Sequence, residues 1–114
     1  MDGIDAPIPP LRIRRATRFW QRFFGLMGRR ALDRDAGLLL VPCGSVHTAG
    51  MRFAIDVVFL DREGVVLRTV PHLRPWRAAA CRGAHGALEL CAGEALRRGF
   101  GVGQRLPAGI GEAS

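Results

Sequence analysis

The sequence predicts an α+β, mainly β domain. We expect a compact antiparallel sheet sandwich or partly open barrel, with one amphipathic N-terminal helix and one short C-terminal helix. Short runs rich in β-branched residues, separated by turns that contain Gly and Pro, indicate the strands. These runs follow each other too closely to hold the crossover helices that a parallel sheet needs.

Composition limits the class of protein. The 114 residues suit one domain, and 48% of them are apolar, which is enough to bury a core at this length. No apolar run approaches the roughly 18 residues that cross a bilayer, and no basic segment leads into an apolar one at the N-terminus. We expect a cytoplasmic protein without a secretory signal, present as a monomer.

The net charge of +7 points to anionic partners, but the identity of the basic residues weakens that interpretation. All seventeen basic residues are arginine, and the chain has no Lys, Asn or Tyr. This pattern is typical of a GC-rich genome. Codon usage explains why the base is arginine, although the excess over ten acidic residues still needs a reason. Nucleic acid is therefore a less favoured partner than an unidentified ligand or protein.

The chain divides into an extended, Pro-containing leader over 1–11, a globular domain over 12–107 and a flexible tail over 108–114. Residues 16–27 are expected to form the N-terminal helix, because their apolar side chains fall on one helical stripe. The stripe consists of Ala16, Phe19, Trp20, Phe23, Phe24 and Met27.

The first strand of the sheet is expected over 38–41, a short apolar run that Pro42 stops. A loop over 43–50 then leads to a further extended segment near 51–53.

Residues 55–70 are expected to form a β-hairpin at the centre of the domain. Two arms rich in Val flank Asp61-Arg62-Glu63-Gly64, in which the Asp can accept backbone N–H groups and the Gly tolerates positive φ. Neither arm alternates cleanly between apolar and polar residues, so we expect both faces of these strands to be covered.

The remaining chain predicts an irregular excursion over 71–86 with room for a short extended piece, a strand over 87–90 and a short helix over 93–98. Gly99 follows that helix in the position that favours a left-handed residue. Residues 102–106 are expected to return as a last strand.

Two Cys-x-x-x-His pairs could form a metal site, Cys43 with His47 and Cys81 with His85. Thiolate and imidazole are zinc ligands, and four of them complete a tetrahedron. The alternative is that the thiols are buried and reduced, as three cysteines without a Cys-x-x-Cys pair suggest in a cytoplasmic protein. The sequence identifies no other cofactor.

A second cluster is the candidate ligand-binding site: His47, Thr48, Met51, Arg52 and Asp56. In an extended segment residues at even spacing share a face, and a His near a carboxylate can act as a base or a ligand. The alternative is structural, with Asp56 bonded to nearby backbone N–H groups or paired with Arg52. No catalytic motif is recognisable in the chain, since its Ser and Gly-rich segments fit neither a nucleophile elbow nor a phosphate loop.

Arginine is concentrated near the N-terminus, where Arg14, Arg15, Arg18 and Arg22 lie close to four aromatic residues. Such a surface could bind single-stranded nucleic acid or an anionic membrane. The alternative, which we favour, is that the aromatic stripe faces the core and the arginines form the solvated side of the helix.

Three ordered blocks of the sequence resemble a known family. The first is Phe24-Gly-Leu-Met-Gly-Arg29 with Gly37-Leu-Leu-Leu-Val41. The second is His47-Thr-Ala-Gly-Met-Arg52 followed by Ile55-Asp-Val-Val-Phe-Leu-Asp61 and Gly64-Val-Val. The third is Leu88-Glu-Leu-Cys-Ala-Gly93 with Gly99, Val102-Gly103 and Arg105. Together they resemble domain-of-unknown-function family 192, also called uncharacterised protein family 0127, which is widespread in bacteria and archaea. The resemblance spans about 15–106 and implies a compact, mainly β domain with short helices and no established activity.

The resemblance supports the candidate ligand-binding site but not the candidate zinc site. His47, Met51 and Asp56 match recurring positions of the family, which supports a shared site there, whereas Cys43 and Cys81 do not belong to its pattern. The chain departs from the family at three other positions, which are Ala49, Ala54 and Cys91.

The sequence therefore favours a binding or accessory module with a ligand near His47, Arg52 and Asp56. A metal-binding or enzymatic site that uses His47 and Asp56, or the Cys/His set, is the first alternative. An Arg-rich module for nucleic acid or an anionic membrane surface is the second.

Overall fold

The computed structural model describes residues 8–16 and 33–106, which form seven strands and one short helix. In chain order these are β1 (Arg12–Ala16), β2 (Ala36–Leu40), β3 (Ser45–His47), β4 (Ile55–Leu60), β5 (Val66–Leu73), β6 (Ala78–Ala80), β7 (Gly86–Cys91) and α1 (Glu94–Arg97). Five strands form one sheet in the order β1-β2-β7-β4-β5, and β3 pairs with β6 in a second sheet. All pairs are antiparallel except β1–β2, which is parallel.

The hydrophobic core lies in two layers, one on each face of the five-stranded sheet. One layer joins this sheet to the β3–β6 pair and includes Leu38, Leu40, Val46, Ile55, Val57, Phe59 and Ala79. The other joins it to α1 and the segment that ends at Leu106. Because β4 meets a layer on each face, all six of its residues are buried. The mainly β architecture is confirmed, with two sheets that do not close into a barrel.

The central hairpin is confirmed, and its turn forms by the local chemistry that the sequence indicates. The Asp61 carboxylate accepts the backbone N–H groups of Glu63 and Val65 at 2.8 and 3.0 Å. Gly64 has a φ of 85°, a conformation that glycine adopts at little cost. The second arm is longer than predicted, because β5 continues to Leu73.

Other predicted elements differ from the structure. The N-terminal helix predicted over 16–27 lies outside the described residues from position 17 onward, and Ala16 itself ends β1. The loop predicted over 43–50 contains β3, and 51–53 form a bend.

The last strand predicted over 102–106 is wrong. A single bridge between Arg105 and Val65 forms there, because the chain first turns at Gly103, whose φ is 89°. The strand over 87–90 is confirmed as β7, and the short helix after Gly93 is confirmed as α1, with Gly99 left-handed at a φ of 74°. Within the described ranges, no helix has the length and apolar character needed to cross a membrane.

A buried glutamate fixes α1 by accepting hydrogen bonds from three arginines. The side chain of Glu94 is 2% exposed, and its carboxylate lies 2.7 Å from Arg97, 3.1 Å from Arg98 and 3.2 Å from Arg34. Burial alone would raise the pKa of Glu94, but the hydrogen bonds from these arginines outweigh it and hold the pKa below its usual value. The ionised form of Glu94 therefore stabilises the fold.

Arg98 extends this network to the start of the chain. Its guanidinium lies 2.8 Å from the Asp35 carboxylate and donates to the carbonyl of Pro9 at 2.8 Å. Nearby, the exposed Arg12 pairs with Asp33 at 2.8 Å. Part of the arginine excess thus joins the N-terminal segment to α1.

We expect Glu94→Gln to lower the free energy of unfolding by about 2 kcal/mol at neutral pH, because the arginines lose their buried anionic partner. Since the folded pKa is lowered, this stabilisation is present above the ordinary glutamate pKa and disappears as pH falls through the folded value. Urea denaturation at neutral and acidic pH measures the difference. Glu63→Gln, at an exposed glutamate, is the matched control, and equal losses from the two substitutions would contradict the assigned role.

Candidate functional site

The five residues of the predicted ligand-binding site play different parts in the structure. His47 and Arg52 are exposed, whereas Met51 is buried in the core layer that includes β3 and β6. Thr48 and Asp56 are fully buried, and their side chains bond to backbone groups. The structure thus separates two exposed candidates from three buried ones. Ligand binding by the set as a whole stays a prediction.

Asp56 joins three elements through hydrogen bonds to their backbones. Its Oδ1 accepts the N–H of His72 in β5 at 3.0 Å, and its Oδ2 accepts the N–H groups of Gly93 and Ala95 at 3.0 and 2.9 Å. Gly93 precedes α1 and has no side chain that could cap the helix, so a carboxylate in β4 performs that task. Asp56 therefore bonds to backbone N–H groups that are distant in the sequence, and ligand binding by Asp56 stays a prediction.

Thr48 holds the turn over 74–77, which connects β5 to β6. Its hydroxyl accepts the N–H of Arg77 at 2.9 Å and donates to the carbonyl of Arg74. Its backbone N–H donates to the Arg77 carbonyl at 2.8 Å, and its carbonyl accepts the N–H of Trp76 at 3.1 Å. A buried threonine therefore fixes this turn through its side chain and its backbone together.

Trp76 is the exposed centre of that turn. It is 70% exposed and has a φ of 62°. A left-handed conformation costs a non-glycine residue about 1–2 kcal/mol, and an exposed indole forgoes the gain from burial. A large aromatic side chain that is both strained and exposed is typical of a functional position, because the fold alone would favour glycine there.

The hydrogen bonds of Thr48 bring the turn and the end of β3 together, and we call the exposed residues there, with Arg52 of the following segment, the Trp76 surface: His47, Arg52, Arg74, Trp76 and Arg77. All five residues are exposed. The pairing of β3 with β6 places His47 beside the strand that follows Arg77, and the turn after β3 leads to Arg52. Of the predicted ligand-binding residues, only His47 and Arg52 belong to it. For Arg74, Trp76 and Arg77, the available sequence signal was a Trp between arginines in a segment predicted to be irregular.

No carboxylate lies in the segments that build this surface. Residues 36–55 and 64–88 contain β3, β5 and β6 and hold all three histidines of the chain, yet they include no Asp or Glu. Their arginines are Arg52, Arg68, Arg74, Arg77 and Arg82. Charge of one sign concentrated in this way attracts anions.

The predicted zinc set is not assembled. Within residues 8–16 and 33–106, no three His, Cys, Asp or Glu side chains lie close enough to hold a metal ion. The thiols of Cys43 and Cys81 face backbone carbonyl groups one or two residues further along the chain. His47 is exposed at the end of β3, and the backbone N–H of His85 donates to the end of β4.

The N-terminal arginine surface is described only in part. Arg14 is exposed on β1 and Arg15 is half-buried there, whereas Arg18 and Arg22 lie outside the described residues. Binding of nucleic acid or a membrane by these four residues stays a prediction.

β7 carries a buried acid outside every predicted site. Glu89 is 3% exposed and lies between Leu38 of β2 and Val57 of β4. Burial raises the pKa of Glu89 to about 8, so the carboxyl is mostly protonated at neutral pH. The sequence signal was a charged residue inside an otherwise apolar strand.

Neither of two grooves lined by described residues includes a member of the Trp76 surface. The first, of about 470 Å³, lies at the hairpin turn and is lined by Asp61, Arg62, Glu63, Gly83, Ala84 and His85. The second, of about 460 Å³, is mostly apolar and lies beside α1, where Leu96 and Val102 are exposed.

Comparisons of the sequence point to one family. The sequence model of DUF192, described as "uncharacterized ACR", matches residues 4–108. A UPF0127 protein of Pyrococcus furiosus is 41% identical over 73 residues, which cover 59% of this chain and 60% of that protein. The match thus spans about three fifths of that relative's length.

Two solved structures resemble the fold. A protein of Sinorhizobium meliloti, described as a candidate transcription regulator, superimposes with a TM-score of 0.76 at 25% identity, over 83% of this chain and 79% of that chain. A protein of unknown function from Novosphingobium aromaticivorans gives a TM-score of 0.76 at 20% identity, over 83% of this chain and 73% of that chain. The second likeness concerns the fold alone.

We expect Asp56→Ala to lower the free energy of unfolding by about 3 kcal/mol, because three backbone N–H groups lose their acceptor. The stability of Asp56→Asn should lie between those of Asp56→Ala and the wild type, since asparagine keeps one acceptor oxygen. Chemical denaturation measures both. Asp33→Ala, at an exposed carboxylate, is the control and should change stability much less than Asp56→Ala does. A loss at Asp56 no larger than this would rule out its role in joining the three elements.

We expect Glu89→Gln to remove a pH dependence of stability. Because the folded pKa of Glu89 is raised to about 8, the folded state holds a proton that the unfolded state releases above its lower pKa. The wild type should lose about 1.4 kcal/mol per pH unit between the two values, whereas Glu89→Gln should not. Chemical denaturation of both proteins from pH 5 to 9 tests this. An equal change in the free energy of unfolding with pH for the two proteins would contradict it.

Proposed function

We propose a function for this chain from its geometry, because the chain belongs to the DUF192 family and that family is described only as uncharacterised. The chain is a binding module for an anionic partner, and the Trp76 surface is its binding site. The observation that carries this proposal is the left-handed, exposed tryptophan on a turn that Thr48 fixes from inside. A binding site needs side chains held in position before the partner arrives, and this turn supplies them.

Charge supports the choice of an anionic partner. Arg74 and Arg77 flank the tryptophan and are exposed, and the surrounding segments contain no carboxylate that could neutralise them. Arg52 and His47 add donors on the neighbouring segment. Guanidinium groups bind phosphate and carboxylate oxygens through paired N–H donors, which suits recognition of such a partner.

This proposal keeps part of the sequence prediction and changes the rest. His47 and Arg52 remain candidate ligand contacts, whereas Thr48 and Asp56 act by positioning backbone. The description of the Sinorhizobium meliloti protein as a candidate transcription regulator is compatible with an anionic partner. We expect the binding form to be a cytoplasmic monomer.

We expect the double variant Arg74→Gln/Arg77→Gln to bind dextran sulfate roughly tenfold more weakly than the wild type, because two guanidinium donors are removed from one site. Isothermal titration at two salt concentrations measures the affinity, which should fall as salt rises.

The control is Arg62→Gln/Arg105→Gln, which removes the same charge at the hairpin turn and its neighbouring bridge. If both double variants weaken binding equally, the polyanion responds to net charge alone and the proposed site is wrong. If the wild type does not bind dextran sulfate, the anion-binding function itself fails.

A further inference from the structure

The Trp76 surface presents two kinds of chemistry together. Trp76 is 70% exposed, and the Arg77 guanidinium donates to the backbone carbonyl of Trp76 at 3.3 Å. Guanidinium groups bind phosphates, whereas an exposed aromatic ring binds planar rings by stacking. A partner that uses both must carry repeated negative charge and accessible flat rings. Single-stranded nucleic acid has both features.

We propose that the Trp76 surface binds single-stranded nucleic acid, with a base stacked on Trp76 and backbone phosphates paired with Arg74 and Arg77. This inference rests on the proposed function and adds the class of partner. The arginine excess alone points to anionic partners, and nucleic acid was less favoured because codon usage accounts for the type of basic residue. The arrangement around an exposed indole is a separate observation that codon usage does not explain.

The outer face of the β3–β6 sheet extends this surface. Its exposed residues are Ser45, His47, Ala78 and Ala80. Three of these four side chains are small, which leaves the face open to a nucleic-acid strand that continues from Trp76. At the Ala80 end of this face, Arg68 is exposed and donates to the carbonyl of Ala80. Arg68 thus adds a further positive charge to those of the Trp76 surface.

Other anionic partners fit this surface less well. A duplex keeps the faces of its bases stacked and out of reach of an indole. A membrane surface is held by several apolar side chains together. The other large exposed apolar residues in the described ranges are Ile8, Leu96 and Val102, which lie on the N-terminal segment and beside α1. An acidic peptide would use the arginines but leave the indole without a role.

The test compares two probes that differ only in their bases: oligo(dT) of about 12 nucleotides and an abasic oligonucleotide of equal length. Fluorescence anisotropy of the labelled probes gives the affinities. Trp76→Gly should weaken oligo(dT) binding roughly tenfold, as the loss of a stacked base does, and leave abasic binding unchanged. Trp76→Phe should keep most of the affinity, because a phenyl ring also stacks. Arg74→Gln/Arg77→Gln should weaken both probes.

Folding is controlled by the choice of substitution. Glycine accepts the left-handed conformation of residue 76, so Trp76→Gly should retain the wild-type circular dichroism and should unfold at a temperature no lower than the wild type. Duplex DNA and vesicles that contain phosphatidylglycerol serve as competitors, and both should compete poorly with oligo(dT).

The outcomes separate this inference from the proposed function. Equal binding of the two probes, with Trp76→Gly unchanged, would overturn base stacking and leave anion binding intact. Vesicles that displace oligo(dT) would assign the surface to a membrane and overturn the nucleic-acid proposal. If neither probe nor dextran sulfate binds, the proposed function fails together with this inference.

Discussion

The Asp56 carboxylate is the constraint on which the arrangement of this domain depends. It lies in β4 without access to solvent, where an anion costs free energy unless hydrogen bonds replace its hydration. Its donors come from the end of β5 and the start of α1. Because His72 is fixed in this way, the position at which β5 ends is fixed too. The turn that presents Trp76 begins two residues later, so a buried acid sets the place of an exposed aromatic residue.

The buried residues and the surface differ in the sign of their charge, although Glu94 pairs with three arginines across that boundary. The buried charged residues in the described ranges are Asp56, Glu89 and Glu94, and all of them are acidic. The arginines lie mainly at the surface. The surface is therefore more positive than the net charge of +7 alone conveys. This separation gives the arginine excess a physical consequence, whatever genomic bias selected arginine over lysine.

Sequence reasoning succeeded where the determining contacts are local. The hairpin depends on Asp61 and Gly64, whose partners lie within four residues. It predicted a loop where β3 forms, and it allowed a short extended piece near β6 without giving its bounds. Both strands are three residues long, and each pairs only with the other. For the candidate site, the exposed residues were predictable in part. The roles of Thr48 and Asp56 were not, because Thr48 bonds to residues 26 to 29 positions away and Asp56 to residues 16 to 39 away.

The outermost strands of the five-stranded sheet also bear on how the protein stays dispersed at high concentration. An uncovered strand offers free backbone groups to any other strand, which is a route to aggregation. β1 carries three arginines in five residues, and like charges would repel a second copy aligned along it. β5 contains Pro71, which lacks a backbone donor, followed by His72 in a left-handed conformation. Each edge strand therefore disfavours pairing with a strand of another molecule for a different reason. At β1 the reason is electrostatic repulsion, and at β5 it is backbone conformation.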